Sequence, residues 1–483
     1  MNQPLHALDA TTLRALYRQG ELSPVEVTLA VIAQIERREP ELCATWAFDP
    51  EGALAMARAS EQRWLAHRAG GAPVGALEGI PTTLKDNIAS RGVATPLGTA
   101  ATELVPAAED APPAARLREA GAVFVSKTTM PDYGMLSSGL SSFHKLARNP
   151  WDPSKNPGGS SSGAGAAAAA GYGPLHIGTD IGGSIRLPAS WCGVVGLKPS
   201  LGRVPIKPPY AGRCAGPMTR SVADAALMMG PLSLPDARDT MSLPWQDIAW
   251  QAVVDSAHDA QLAERLVAGL RGLRIGLMME AGWGTPVSEP VAAAVQAAAR
   301  RLERAGAIVE PLAPFSTRAM AEGMDRFWRM RSWLDFSALP PERQARVLPY
   351  IADWVRGGAS LGGAEVFTGY SQMGALRDAA VAACAPYDFV ISPVSPDVAY
   401  PAELASPLHD PARPFEHIAY TLAYNMSEQP ALSLNCGYSP AADTGRLLPI
   451  GLQIIGRRHD DLGVLKVARA YELIREAQQP WPM

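Results

Sequence analysis

Cysteine is scarce in this chain of 483 residues. The five present (Cys43, Cys192, Cys214, Cys384 and Cys436) are odd in number and widely spaced, with no C-x-x-C pair and no Cys/His cluster. Neither a disulfide framework nor a structural zinc site is indicated, and a reducing cytoplasm fits this usage. Long hydrophobic runs are also missing. No stretch of ~18 uninterrupted apolar residues occurs, so no transmembrane helix is expected. The opening MNQPLHALDATTLRALYRQG has no basic segment leading into an apolar one, and export is not expected either. Positive charge has no surplus: 43 Lys and Arg stand against 47 Asp and Glu, a formal net charge of -4. Nothing is left over to neutralise phosphates or anionic lipid, which argues against nucleic-acid or membrane-surface binding as the main role.

What is present is a normal globular balance, 47% hydrophobic and 19% charged, able to bury a large core. At roughly 150 residues per domain the length allows about three domains or one large enzyme core. The 44 glycines and 43 prolines are spread along the chain and mark many turns within a fold. Residues 9 to 40 read as helices, with Ser23 as cap, Pro24 in the first turn and Glu26 behind it, and residues 53 to 68 as another. LEGIPTTLKDNI reads as a short strand carrying Lys85 at its end. Helix-break-strand units recur at RLREAGAVFVSKT, RLERAGAIVEPL and AACAPYDFVISP, which argues for an α/β fold with a twisted mixed sheet, richest in parallel pairs at its centre. One domain over 1–483 is expected: an N-terminal helical part of about 1–70, a core of about 71–230 and 381–483, and a more helical excursion of about 231–380.

The densest chemical signal lies between residues 156 and 199. GGSSSG precedes an alanine-rich helix, and a second glycine-rich turn, GTDIGGS, follows closely. Gly182-Gly183 before Ser184 can aim successive backbone N–H groups to one side, because glycine adopts positive φ without a Cβ clash. Such a nest beside a hydroxyl is what a serine nucleophile needs for its developing oxyanion, together with a base. The eight histidines offer no matched partner, although a Ser-His-Asp arrangement stays open. The alternative base is Lys85, whose apolar strand would lower its pKa by desolvation. Gly159-Ser-Ser-Ser-Gly163 also satisfies G-x-S-x-G, but the recurring prolines of ARNPWDPSKNP cannot supply the strand that a nucleophile elbow requires.

In order along the chain, GIPTTLKDNI, NPWDPSKNPGGSSSGAG, GTDIGGSIR, GLKPSLGRVP, GPMTRSVADAA, YDFVISPVSP and LPIGLQIIGRRHDD resemble the amidase signature family, from about residue 8 to 475. The resemblance implies that family's fold, with helices on both faces of the sheet, and a Ser-cis-Ser-Lys relay. Ser184 would be the nucleophile, Ser160 the bridging serine after a cis peptide from Gly159, and Lys85 the base. It implies an oxyanion hole of the backbone N–H groups of Ile181, Gly182, Gly183 and Ser184, with Ser161, Asp180 and Arg186 holding the loop. Neither a metal nor an organic cofactor is implied. Several positions depart from the family pattern: Ser162 and Glu428 stand where glycine is common, Asn435 where proline is common, and Thr129 and Asp132 where Asn and Glu are frequent.

The reading is an amidase that hydrolyses a small-molecule carboxylic amide to acid and ammonia or amine, with a homodimer as the candidate assembly. The alternative within the family is the glutaminase subunit of a tRNA-dependent amidotransferase. That subunit carries an acid three residues before the Thr of its T-x-P-x-N segment, whereas IAYTLAYN here has Ile418 in that place. A non-catalytic binding protein on the same fold is the third reading, opposed by the intact Lys85, Ser160 and Ser184. Met324, Trp328, Met330, Trp333 and Trp354 read as core, with an apolar acyl pocket as the other option.

Overall fold

The computed structural model describes residues 3–483. The N-terminal helices Ala10–Gln19, Pro24–Leu42 and Pro50–Arg68 form where the caps direct. Ser23 accepts from Val25 N–H, and Glu26 reaches back to Ser23 N–H, so two of the donors a helix start leaves orphaned are satisfied.

Eleven strands make one sheet: β1 (Thr45–Trp46), β2 (Pro81–Lys85), β3 (Val123–Thr128), β4 (Leu175–Asp180), β5 (Val195–Lys198), β6 (Cys214–Thr219), β7 (Arg274–Leu277), β8 (Ile308–Pro311), β9 (Phe389–Pro393), β10 (Ala431–Pro440) and β11 (Leu447–Ile455). Their spatial order is β1-β3-β2-β4-β6-β5-β10-β11-β9-β7-β8. Every residue of β2, β4, β5, β6 and β9 is buried. Because successive side chains in a strand point to opposite faces, the sheet is covered on both.

The mixed sheet is as expected, but its parallel pairs are not central. They are β2/β3 and β2/β4 towards one end, and β7/β8 and β7/β9 at the other. The middle, from β4 through β6, β5, β10 and β11 to β9, is antiparallel throughout. The reason lies in the repeated helix-to-strand units, which end in β3, β8 and β9 and so fall outside the centre. The central strands β10 and β11 are instead joined by a short turn, which only an antiparallel pair can use.

One large hydrophobic cluster fills the sheet and the helices against it. A second, containing Trp191, Met324, Trp328, Phe336, Trp354 and Leu422, sits beneath the helices of the 318–426 region. The cavity described next opens between the sheet's strand ends and this second cluster.

Candidate active site

Neighbouring parallel strands bring the first two elements of the site together. β2 ends at Lys85 and β4 at Asp180, with Leu84 opposite Ile177 in the register, so the lysine emerges beside the last residues of β4. Lys85 is fully buried. Its Nζ lies 2.8 Å from Ser160 Oγ, 2.9 Å from Ser161 Oγ and 2.9 Å from Thr179 Oγ1. Burial is the main cause that holds this amine well below the ordinary lysine pKa; Asp180 and Asp86 oppose the shift and the Arg213 charge adds to it. Asp86 accepts from Leu97 N–H at 3.0 Å and Gly98 N–H at 2.8 Å and meets His144 Nε2 at 2.7 Å. These partners lie outside β2 and hold the Asp86 carboxylate in the turn after the strand.

Ser160 follows a cis peptide from Gly159 and packs on Gly134, where a Cβ would come within 3.1 Å of its Oγ. No strand precedes Ser161; the helix Ser162–Ala170 begins directly after it, so the elbow geometry is absent. Ser161 N–H donates to the Ser184 carbonyl at 3.1 Å, which ties the two serine segments together. Ser160 and Ser184 line one cavity. Among the described residues no side-chain hydrogen bond joins their two hydroxyls, a link that sites of this kind often complete only with substrate in place.

The loop after β4 is held by one carboxylate. Asp180 Oδ1 accepts from Gly183 N–H at 2.8 Å, Arg186 Nη2 at 2.9 Å and Asn425 Nδ2 at 2.9 Å, while Oδ2 accepts from Ile185 N–H at 3.0 Å and Arg186 Nε at 3.0 Å. Burial alone would raise the Asp180 pKa, but the Arg186 guanidinium and these donors hold it below the usual carboxylate range. Arg186 in turn donates to Thr421 O and Gln453 Oε1, both at 2.8 Å, and to Asn425 Oδ1 at 2.5 Å. Gly183 has φ +132, and a Cβ there would meet Thr421 Oγ1 at 2.6 Å, so only glycine fits. Of the four N–H groups expected to receive an oxyanion, that of Gly183 donates to Asp180, whereas among the described residues those of Ile181, Gly182 and Ser184 have no protein acceptor.

Neither histidine in this region reaches the serines. His176 is buried between Thr83 Oγ1 at 2.8 Å and Gly173 O at 3.1 Å, and burial pushes it down to about 3. His417 lies in the cavity wall against Trp191 and is pushed down to about 4 by burial. The cavity encloses about 450 Å³ and is walled mainly by apolar groups, among them Met130, Tyr133, Met135, Trp328, Phe415 and Ile418. Of the tryptophans and methionines between 324 and 354 only Trp328 lines it; Met324 and Trp354 are core. Thr179, Asn425 and Gln453 are the site residues that the sequence did not announce. Asn425 closes the segment IAYTLAYN, already singled out for its missing acid.

The amidase family model matches residues 26–465. The chain belongs to the amidase family. Two relatives, from Myxococcus xanthus and Chloroflexus aurantiacus, both carry the name of the A subunit of glutamyl-tRNA(Gln) amidotransferase. The first is 36% identical, with 95% of this chain and 96% of the relative covered; the second is 32% identical, with 98% and 97% covered. Among solved structures, a bacterial aryl acylamidase of the amidase signature enzymes superposes with a TM-score of 0.85 at 28% identity, covering 98% of this chain and 97% of that one. The peptide amidase from Stenotrophomonas maltophilia gives 0.81 at 28%, covering 99% of each. The chain is accordingly an enzyme of amide carbon–nitrogen bonds. Among members of the family, the relatives' names support the alternative reading, part of an amidotransferase, over a stand-alone amidase. No helix among the described residues is long and apolar enough to cross a membrane.

Proposed function

We propose that this amidase-family chain cleaves its amide through an acyl-enzyme on Ser184. The observation that carries the reading is the buried Lys85 amine, held 2.8 Å from Ser160 Oγ in a pocket that favours its neutral form. A neutral Lys85 takes a proton from Ser160, which takes one from Ser184, and the Ser184 oxygen attacks the carbonyl carbon. The oxyanion is received by the N–H groups of Ile181, Gly182 and Ser184. As the tetrahedral centre collapses, the proton returns through Ser160 to the nitrogen and the carbon–nitrogen bond breaks. Water then attacks the acyl-Ser184 and releases the acid. Ser161, Asp180 and Arg186 position the loops and exchange no proton with substrate. The five free cysteines support placement in a reducing cytoplasm.

The relatives' names favour the glutaminase subunit of a tRNA-dependent amidotransferase as the setting of this chemistry. A stand-alone amidase is the second reading, favoured by Ile418 in the cavity wall, where the glutaminase would carry an acid for the amino group of glutamine. The test is ammonia release by the purified chain alone from glutamine and from aliphatic and aryl amides, with a fluorophosphonate adduct mapped by peptide mass. Label on Ser184 is expected; label on Ser161 would overturn the mechanism. Glutamine turnover that depends on added subunits establishes the first setting, and turnover of simple amides by the chain alone establishes the second.

A further inference from the structure

One end of the cavity departs from its apolar character. β6 begins at Cys214, which pairs with Asp180 in the register, so Arg213 lies next to the start of the Ile181–Ser184 loop. A turn in which Arg213 N–H donates to Tyr210 O at 2.9 Å places Tyr210 beside it. From the helix Arg318–Ser337, the Arg331 guanidinium lies 4.4 Å from the centre of the Tyr210 ring. Arg213, Arg331 and Tyr210 all line the cavity.

None of the three is satisfied by the protein in the way its chemistry asks. Among the described residues neither arginine has a carboxylate within 4 Å, whereas Arg329 on the same helix as Arg331 is paired with Asp325 at 2.7 Å. Among the described residues the Arg213 guanidinium donates only to the Pro208 carbonyl, at 2.8 Å. The Tyr210 hydroxyl is buried without a hydrogen bond of good geometry, with the Trp328 side chain beside it as a donor. Asp335, one turn further along the same helix, also lines the cavity, and among the described residues it forms no ion pair with either arginine. Two like charges facing one space with no carboxylate in contact with either repel one another, and an arginine fork is shaped to receive a carboxylate. Burial, and after it the Arg331 charge, pushes the Arg213 guanidinium down to about 10, against the opposing charge of Asp239.

We propose that Arg213, Arg331 and Tyr210 form a subsite for a carboxylate carried by the amide substrate itself. The preferred substrates are then amides with an anionic end: half-amides of dicarboxylic acids if the charge is on the acyl side, N-acyl amino acids if it is on the leaving amine. The proposal rests on Ser184 as nucleophile and deepens that reading by naming the substrate class.

The test compares glutaramate with pentanamide, and N-acetylglycine with N-methylacetamide, on the purified enzyme, its Arg331→Gln variant and its Arg213→Gln variant. The quantity read is the ratio of kcat/KM for the anionic over the neutral member of each pair, which cancels differences in the folded fraction. The parent should favour one anionic member at least tenfold, and each variant should lose most of that ratio, chiefly through KM. The pair showing the preference identifies which side carries the charge. A second measurement needs no turnover: glutarate should slow fluorophosphonate labelling of Ser184 in the parent more than pentanamide does, and should lose that advantage in the variants. Ser184 labelling with no anionic preference and no protection by glutarate would overturn the subsite while leaving the nucleophile in place. Absence of labelling at Ser184 would overturn both.

Discussion

At the scale of single residues, Lys85 carries the sharpest consequence. With a folded pKa well below the ordinary lysine value of ~10.4, it is a base only once its proton is lost. Activity should therefore rise with pH through that lowered pKa and stay high on the alkaline side. Replacing Lys85 with alanine removes both the proton acceptor and the partner of Ser160. The expected loss in kcat is several orders of magnitude, together with loss of the acidic limb; a steady-state pH series on parent and variant checks both. Glu428 illustrates a residue whose oddity in sequence has a structural counterpart. The family resemblance leads one to expect glycine there, and the φ of Glu428 is +65, a left-handed conformation that costs a non-glycine residue roughly 1 kcal/mol. Its carboxylate is held by Arg377 at 2.6 Å and by Arg458. Glu428→Ala gives up the ion pairs and keeps the backbone cost, while Glu428→Gly gives up the pairs and relieves it. The glycine variant should melt above the alanine variant, read directly by thermal unfolding.

At the scale of elements, the Asp180–Arg186 pair fixes the turn between β4 and the helix Arg186–Cys192. Both side chains are fully buried, and removing one partner of such a pair costs about 3 to 5 kcal/mol because the other charge is stranded. Asp180→Asn should lower the urea midpoint accordingly. The pH sign follows from the depressed carboxylate: its stabilisation is complete above the ordinary carboxylate value of ~3.9 and is lost as pH falls towards the folded value. The variant should consequently show a shallower acid-side decline than the parent. These elements also separate what the sequence discloses from what it withholds. Ser160 is singled out from its serine-glycine block only through the resemblance to the amidase signature family, whereas Lys85 and Ser184 stand out as candidates in their own segments, a strand end and a glycine pair. The cap at Ser23 and the strands at 123–128 and 389–393 were legible for the same local reason. The contacts of Asn425, Gln453 and Arg213 are not legible: the segment of Asn425 points to substrate recognition but not to Arg186 or Asp180, nothing in the segments of Gln453 and Arg213 speaks of the site, and only the tertiary fold brings the three there. The antiparallel centre of the sheet escaped notice likewise, since helix-to-strand repeats report the ends of this sheet and not its middle.

At the scale of the whole molecule, the brace of the Ile181–Ser184 loop joins parts of the chain that are far apart in sequence. Arg186 reaches Thr421, Asn425 and Gln453 over sequence separations of 235, 239 and 267 residues, and β5 pairs with β10 across a similar span. During synthesis, then, every member of the proposed relay leaves the ribosome long before the residues that hold it in shape. A nascent chain ending near residue 400 contains Lys85, Ser160 and Ser184 but leaves the Arg186 guanidinium without its distant acceptors, and should not react with a fluorophosphonate. Adding the remaining residues as a separate polypeptide should restore labelling of Ser184 if the fragments associate through β5 and β10. Reactivity would thus be withheld until translation is nearly finished, a form of timing set by strand order alone.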